Sequence, residues 1–235
     1  MDPEFTSSVE FNYLKTWGEQ TLSASLYYHY TDNVIENVQF LHGGTMESTF
    51  LNVANSQNTG LEVISKNRLF RILNLTTSLN GYYSKLDPAI YTNPYDATIT
   101  TTIPGQNNLS WTGSMLANFM LSKSFSGQIT ARYSSPQIIA QGQKQQKYSI
   151  DMGLRKTFLD RNLSVNLNVR DLLNSNKDKS TTSGTGFSQT SESFFHTRMI
   201  NLSLSYNFSN SKVKRTDVKK KQKNQDLEDM DDIEQ

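Results

Sequence analysis

Along most of this chain, apolar and polar residues alternate with a period of two. Met199–Phe208 shows it most cleanly: Ile200, Leu202, Leu204, Tyr206 and Phe208 alternate with Asn201, Ser203, Ser205 and Asn207. Successive side chains of a strand point to opposite faces, so the pattern predicts one greasy face and one face of small polar groups. The segment has the length, roughly 9–11 residues, that a tilted strand needs to cross a hydrocarbon layer. The same alternation recurs at Leu22–Tyr30, Leu73–Leu79, Trp111–Leu121 and Leu163–Val169. It is weaker around Val9/Phe11/Tyr13, Ile129/Ala131/Tyr133 and Tyr148/Ile150/Met152/Leu154, and loosest in Thr59–Lys66, where Leu61 and Val63 oppose Glu62.

The connections between these segments are unequal. Short ones fall at Thr16–Gln20, Ser65–Phe70, Ser122–Gly127 and Phe158–Asn162, and long ones at His42–Asn58, Ser84–Asn108, Pro136–Lys147 and Asn174–Ser193. Short and long alternate, as in outer-membrane barrels with tight periplasmic turns and large external loops. A soluble sandwich has no reason to gather its long connections on one side. The expected fold is therefore all-β, an antiparallel transmembrane β-barrel, with about nine strands by the hairpin logic. Bacterial single-chain barrels have even strand numbers, so the chain reads as the C-terminal portion of a larger barrel, beginning in an external loop.

Composition changes this picture little. Apolar residues make up 35% of the 235, and mean hydropathy is −0.58. A barrel tolerates both, because half of each strand faces lipid and half faces a wet interior. No apolar run is long enough for a spanning helix, so a membrane reading requires a closed sheet. Cysteine is absent, which excludes a disulfide framework and thiolate metal sites. A net charge of +1, without basic residues interleaved with aromatics, argues against a nucleic-acid partner. Met1–Phe11 has neither the basic nor the apolar region of a secretory signal, so the front of the chain reads as incomplete.

Beyond Phe208 the composition shifts. Lys212–Lys223 is basic, and Asp226–Glu234 is acidic with Leu227, Met230 and Ile233 three apart. The expected organisation is barrel strands and external loops over residues 1–208, then a charged, disordered periplasmic tail over residues 209–235. A short helix docking on a periplasmic partner is the alternative for the tail.

Several motifs together resemble a known family. They are Pro3-Glu4 with Glu10 and Tyr13 downstream, Gly60-Leu61-Glu62 opening a strand, Arg170-Asp171-Leu172-Leu173-Asn174 ending the penultimate strand, and a closing Tyr206-x-Phe208. In this order, over about residues 2–208, the chain resembles the C-terminal barrel of TonB-dependent outer-membrane receptors, in particular the outer-membrane β-barrel family of Bacteroidota. Met1–Phe5 reads either as the native start of that pattern or as a cloning scar; the unbroken continuation through Tyr13 favours the first. The resemblance implies import of a scarce nutrient, small-molecule or oligomeric, across the bacterial outer membrane. External loops would hold the ligand, and the TonB energy-coupling complex would act through a plug absent from this chain. It also implies that Tyr206 and Phe208 form a signal for the barrel-assembly machinery, with outer-membrane lipid around the wall.

Candidate chemistry is sparse. His29, His42 and His196 are scattered and match no metal-binding spacing. No nucleophile elbow, phosphate-binding loop or dinucleotide fingerprint occurs, and Ser183-Gly184-Thr185-Gly186 reads as flexible loop. No catalytic site, cofactor or metal is expected, and the protein reads as a non-enzyme. Glu62, Arg132, Asp151, Arg155 and Arg170 are expected to face the lumen, as a salt-bridge ladder or as charges wetting a channel. Trp17, Tyr28, Tyr30, Trp111, Tyr133, Tyr148, Tyr206 and Phe208 lie near strand ends, where interfacial girdles form; ordinary strand propensity would also place aromatics there. Two other functions fit less of the pattern: a smaller passive porin or structural barrel, and a secreted soluble all-β binding module.

Overall fold

The computed structural model describes residues 1–93, 96–98, 100–193 and 197–208. The described residues form strands only, in chain order β1 Phe5–Trp17, β2 Gln20–Asp32, β3 Ile35–His42, β4 Thr45–Asn52, β5 Ser56–Leu69, β6 Leu73–Leu86, β7 Ala89–Thr92, β8 Thr100–Ile103, β9 Gln106–Ser122, β10 Phe125–Ser134, β11 Gln137–Ile139, β12 Gly142–Lys144, β13 Lys147–Phe158, β14 Leu163–Arg170, β15 Asp178–Gly184, β16 Phe187–Ser193 and β17 Met199–Tyr206. Nine of them make one antiparallel sheet, the wall, in the order β1-β2-β5-β6-β9-β10-β13-β14-β17. All nine segments expected from alternation are wall strands.

The register joins the apolar positions into continuous rows. Tyr13 pairs with Ala24 and Ala24 with Val63, then Val63 with Leu79. Further along, Ala117 pairs with Ile129, Ile129 with Met152, Met152 with Val169 and Val169 with Ile200. A one-residue slip of any strand would throw its apolar set onto the polar face, so the alternation itself fixes the register. Yet the wall has almost no buried core: Leu26, Leu61, Leu79, Met115, Leu202 and Leu204 are all exposed. An apolar face this extensive on a folded sheet marks contact with something other than water.

The four long connections are not irregular. Each contains a hairpin, the first connection running over residues 33–55 and not from the expected His42, since β3 already lies outside the wall sheet: β3-β4 and β7-β8 form two-stranded sheets, while β11, β12, β15 and β16 make a four-stranded sheet. This corrects the expectation of plain loops, including that for Ser183–Gly186: Ser183 and Gly184 end β15, and Thr185-Gly186 is the tight turn into β16. These hairpins stand beyond the same rim of the wall and pack together around Val38, Phe40, Val53, Leu86, Ile103 and Ala140, with exposures of 0–6%. A backbone-like side-chain bridge fastens them: Gln39 N donates to Gln141 Oε1 at 2.7 Å, and Gln141 Nε2 donates back to the Gln39 carbonyl at 3.0 Å. The opposite rim has only short turns, one of them shifted from expectation because β5 runs to Leu69 and the chain reverses at 70–72.

Candidate functional site: the two faces of the wall

Since the alternation sorts the wall into two faces, the candidate site is a surface, not a single pocket. The polar face is rich in amides and hydroxyls. Asn12, Ser25, Asn80, Asn118, Gln128, Asn166 and Ser203 all fall on it by register, and several join across strands, as Ser25 Oγ does to Asn12 Oδ1 at 2.6 Å. Such groups need water or one another, and a row of them satisfies this without net charge.

Glu62, Arg132, Asp151, Arg155 and Arg170 all occupy this polar face by register. Only one ion pair forms among them, Arg132 Nη1 to Asp151 Oδ2 at 2.9 Å. It is diagonal, since Arg132 pairs in register with Ser149. Asp151, Arg155 and Arg170 line one depression of about 740 Å³ together with Asn118, Asn166 and Asn168. Glu62 lies apart, in a second depression of about 480 Å³ with Glu10, Tyr27, His29, Asn58 and Tyr82. His29 Nε2 sits 3.2 Å from Glu10 Oε1 there. His42 lies instead in the rim tier beside Glu47 at 3.1 Å and Asp96 at 3.8 Å, and His196 is outside the described residues. Hydrogen bonds from Asn93 and then His42 hold the Glu47 carboxyl below its ordinary value.

The Gly60-Leu61-Glu62 motif has a steric reason. A Cβ at Gly60 would meet the Tyr27 hydroxyl oxygen at 2.5 Å and Tyr82 Cβ at 2.7 Å. Its two register neighbours are Tyr27 and Tyr82, so glycine is what lets the Tyr27 ring lie across the sheet. The ring stacks on His29 with centroids 4.9 Å apart, and its hydroxyl donates to Asn80 Oδ1 at 3.0 Å.

Arg170–Asn174 also acquires a role. The chain leaves β14 through Asp171 and Asn174 at φ values of 48° and 55°, and the Asp171 carboxylate, fully buried, ties the rim together. It accepts from the amides of Ser175 at 2.9 Å and Asn176 at 3.2 Å, and from the Thr197 hydroxyl just before β17. Its own amide donates to Asp151 Oδ1 at 2.9 Å. Burial raises its pKa, and the hydrogen bonds, that of Thr197 first, more than reverse this, so the group stays ionised below the usual aspartate range. No sequence pattern had pointed to this knot beyond the motif itself.

The other face is apolar and banded. Tyr28, Trp111, Tyr133 and Tyr148 lie on it toward the long-loop rim; Trp17, Phe125, Phe158 and Tyr206 lie toward the short-turn rim. Trp111 and Tyr133 stack at 4.3 Å, and Tyr206 meets Phe208 edge-on at 4.6 Å. From Tyr148 to Phe158 the strand runs about 33 Å, which at the usual tilt spans the ~25 Å apolar band of outer-membrane barrels. Phe70 and Leu159, in short turns, are exposed, as suits side chains at a lipid boundary.

A sheet with an aromatic-edged apolar face, a polar face and all its long connections at one rim defines the wall of a transmembrane β-barrel. The chain belongs to the outer membrane protein β-barrel family, whose sequence model matches residues 1–206. That membership places it in the bacterial outer membrane, with lipid against the apolar face. No significant match is found among curated proteins or among solved structures.

Proposed function

We propose that this chain supplies the wall, rim loops and closing strand of a TonB-dependent outer-membrane receptor of the kind found in Bacteroidota, which imports a scarce nutrient and is not an enzyme. One observation carries the reading. With nine alternating strands, β1 and β17 run in the same direction, and among the described residues neither outer edge is paired. Joining them directly would make a parallel seam, and a second copy in the same membrane orientation would meet the same mismatch. An odd number of further strands resolves it, giving a wider barrel whose edges are all covered, as lipid requires. Wide barrels, at roughly 22 strands, hold a plug, and coupling to an inner-membrane energy complex through that plug follows from the family resemblance. In this reading Glu62, Arg132, Asp151, Arg155 and Arg170 face the interior, and the packed rim hairpins offer the outside surface for a small-molecule or oligomeric nutrient. Tyr206 and Phe208 serve the barrel-assembly machinery, and residues 209–235 lie in the periplasm.

A passive porin or structural barrel is the competing reading, favoured by the two polar depressions on the wall. Planar bilayers holding the full-length protein from native membranes separate the two. The receptor reading expects no steady conductance until denaturant loosens a plug; steady ohmic conductance from the first insertion overturns it.

A further inference from the structure

The polar face is divided by charge, and the division points to a binding site. Around Arg132, Asp151, Arg155 and Arg170 the balance is basic. Around the Tyr27 platform it is acidic: Glu10 and Glu62 are the carboxylates among the lining residues, and no Lys or Arg lines the depression. Glu62 has neither an ion-pair nor a hydrogen-bond partner among the described residues. The nearest cation on its own strand and face is Lys66, about 13 Å along β5. Glu10 meets only the His29 ring, which leaves its second oxygen free.

The aromatic part is built, not incidental. Gly60 is the gap that seats Tyr27 across the sheet, and the Tyr27 hydroxyl is committed to Asn80. Stacking on His29 fixes the ring further. What remains to meet a ligand is the negative face of an immobilised ring in a depression that Glu10 and Glu62 also line, with amides at Asn58 and Asn80. A ring face favours cations, and carboxylates favour cationic donors. A neutral ligand would leave the Glu62 charge unanswered.

We infer that the cluster of Tyr27, His29, Glu10 and Glu62 is a binding site for an organic cation, an alkylammonium or guanidinium group. This rests on the reading of the polar face as a water-filled interior, and deepens it by giving the chemical class that the wall receives.

The test uses the full-length protein in detergent micelles and measures binding by titration calorimetry. The probes are n-butylammonium, n-butylguanidinium, the neutral alcohol n-pentanol, and a Gly-Lys-Gly peptide. Both small cations are expected to bind and pentanol not to. Glu62→Gln should weaken cation binding by about tenfold or more, the worth of one charge-assisted hydrogen bond. Arg155→Gln, across the wall, should leave it unchanged. Tighter binding of the peptide than of the small amines supports the site and assigns the cation to a polypeptide side chain; the reverse supports it and assigns it to a free amine. Equal binding of pentanol and butylammonium, or an unaltered affinity in Glu62→Gln, overturns the inference. A thiol placed by Ser25→Cys and reacted with a charged maleimide shows separately whether this face is wet. If it is wet and no cation binds, the site fails while the interior reading stands; if it is dry, both fail.

Discussion

Leu204 of the wall is 72% exposed, while Ile103 of the rim tier is 0% exposed; both are aliphatic side chains on antiparallel strands. The difference lies in what each strand was selected to meet. The wall turns its aliphatic and aromatic rows outward and relies on lipid to cover them, so its strands need strict alternation and nothing opposite. The rim hairpins stand in water and must build a core, Phe40, Val38 and Ile103 of the hairpins clustering with Leu86 at the end of wall strand β6. They reach it with few apolar residues, supplemented by Gln141 acting as a piece of backbone for β3. Water-facing β-structure thus needs packing, and lipid-facing β-structure needs pattern.

Five substitutions probe that contrast. Phe40→Ala removes the largest fully buried side chain of the rim core and should cost that tier about 3–5 kcal/mol. The measurement is protease cutting near Gly43-Gly44, which should quicken greatly while heat-modifiable gel mobility, the signature of the wall, stays the same. Loss of both together would mean that the tiers fold as one unit. Leu202→Arg, on the apolar face near mid-strand, should destabilise the wall by about 2–4 kcal/mol in lipid vesicles. Its neighbour Ser203→Arg, on the polar face, should be nearly silent in the same denaturant titration, and equal effects would erase the distinction between faces.

Asp171→Asn acts where wall and rim meet. Losing a buried charged acceptor for Thr197, Ser175 and Asn176 should cost roughly 1–3 kcal/mol, read as faster hydrogen exchange at the amides of Ser175 and Asn176. Because the folded pKa of Asp171 lies below its unfolded value, its contribution is full above the ordinary aspartate pKa and is lost as pH falls through the folded value. The exchange difference between wild type and variant should therefore close in acid; a difference that grows in acid would contradict the assignment. The smallest effect concerns Tyr91, whose hydroxyl is buried without a partner among the described residues and whose pKa burial pushes to about 12. Tyr91→Phe should leave the rim tier unchanged or stabilise it by up to about 1 kcal/mol, and clear destabilisation would reveal a hidden partner.

The wall was legible because lipid on one side and water on the other write a period of two directly into residues such as Ile200 to Phe208 and Leu163 to Val169. The rim strands were not. Thr100–Ile103 buries Thr101 and Ile103, but three threonines in a row carry no visible alternation, and β12 is only three residues long. One signal was available: Gly43-Gly44, both at positive φ, is the dipeptide that closes tight hairpins. On the polar face the charged positions were legible from alternation, whereas their pairing was not. Arg132 meets Asp151 diagonally, and diagonal contact depends on register and side-chain lean. The Gly60 and Asp171 roles needed three strands at once, which no local pattern records.

The central claim is that the apolar face of the nine-stranded sheet meets lipid and the polar face meets water. The chain has no cysteine, so single thiols introduced one at a time from Met199 to Tyr206 are unambiguous reporters. In the full-length protein reconstituted into lipid vesicles, positions 201, 203 and 205 should react with a charged, water-soluble maleimide. Positions 200, 202 and 204 should resist it and, once carrying a fluorophore, be quenched by a lipid-phase quencher. Uniform reactivity along the strand, or the opposite alternation, would contradict the account.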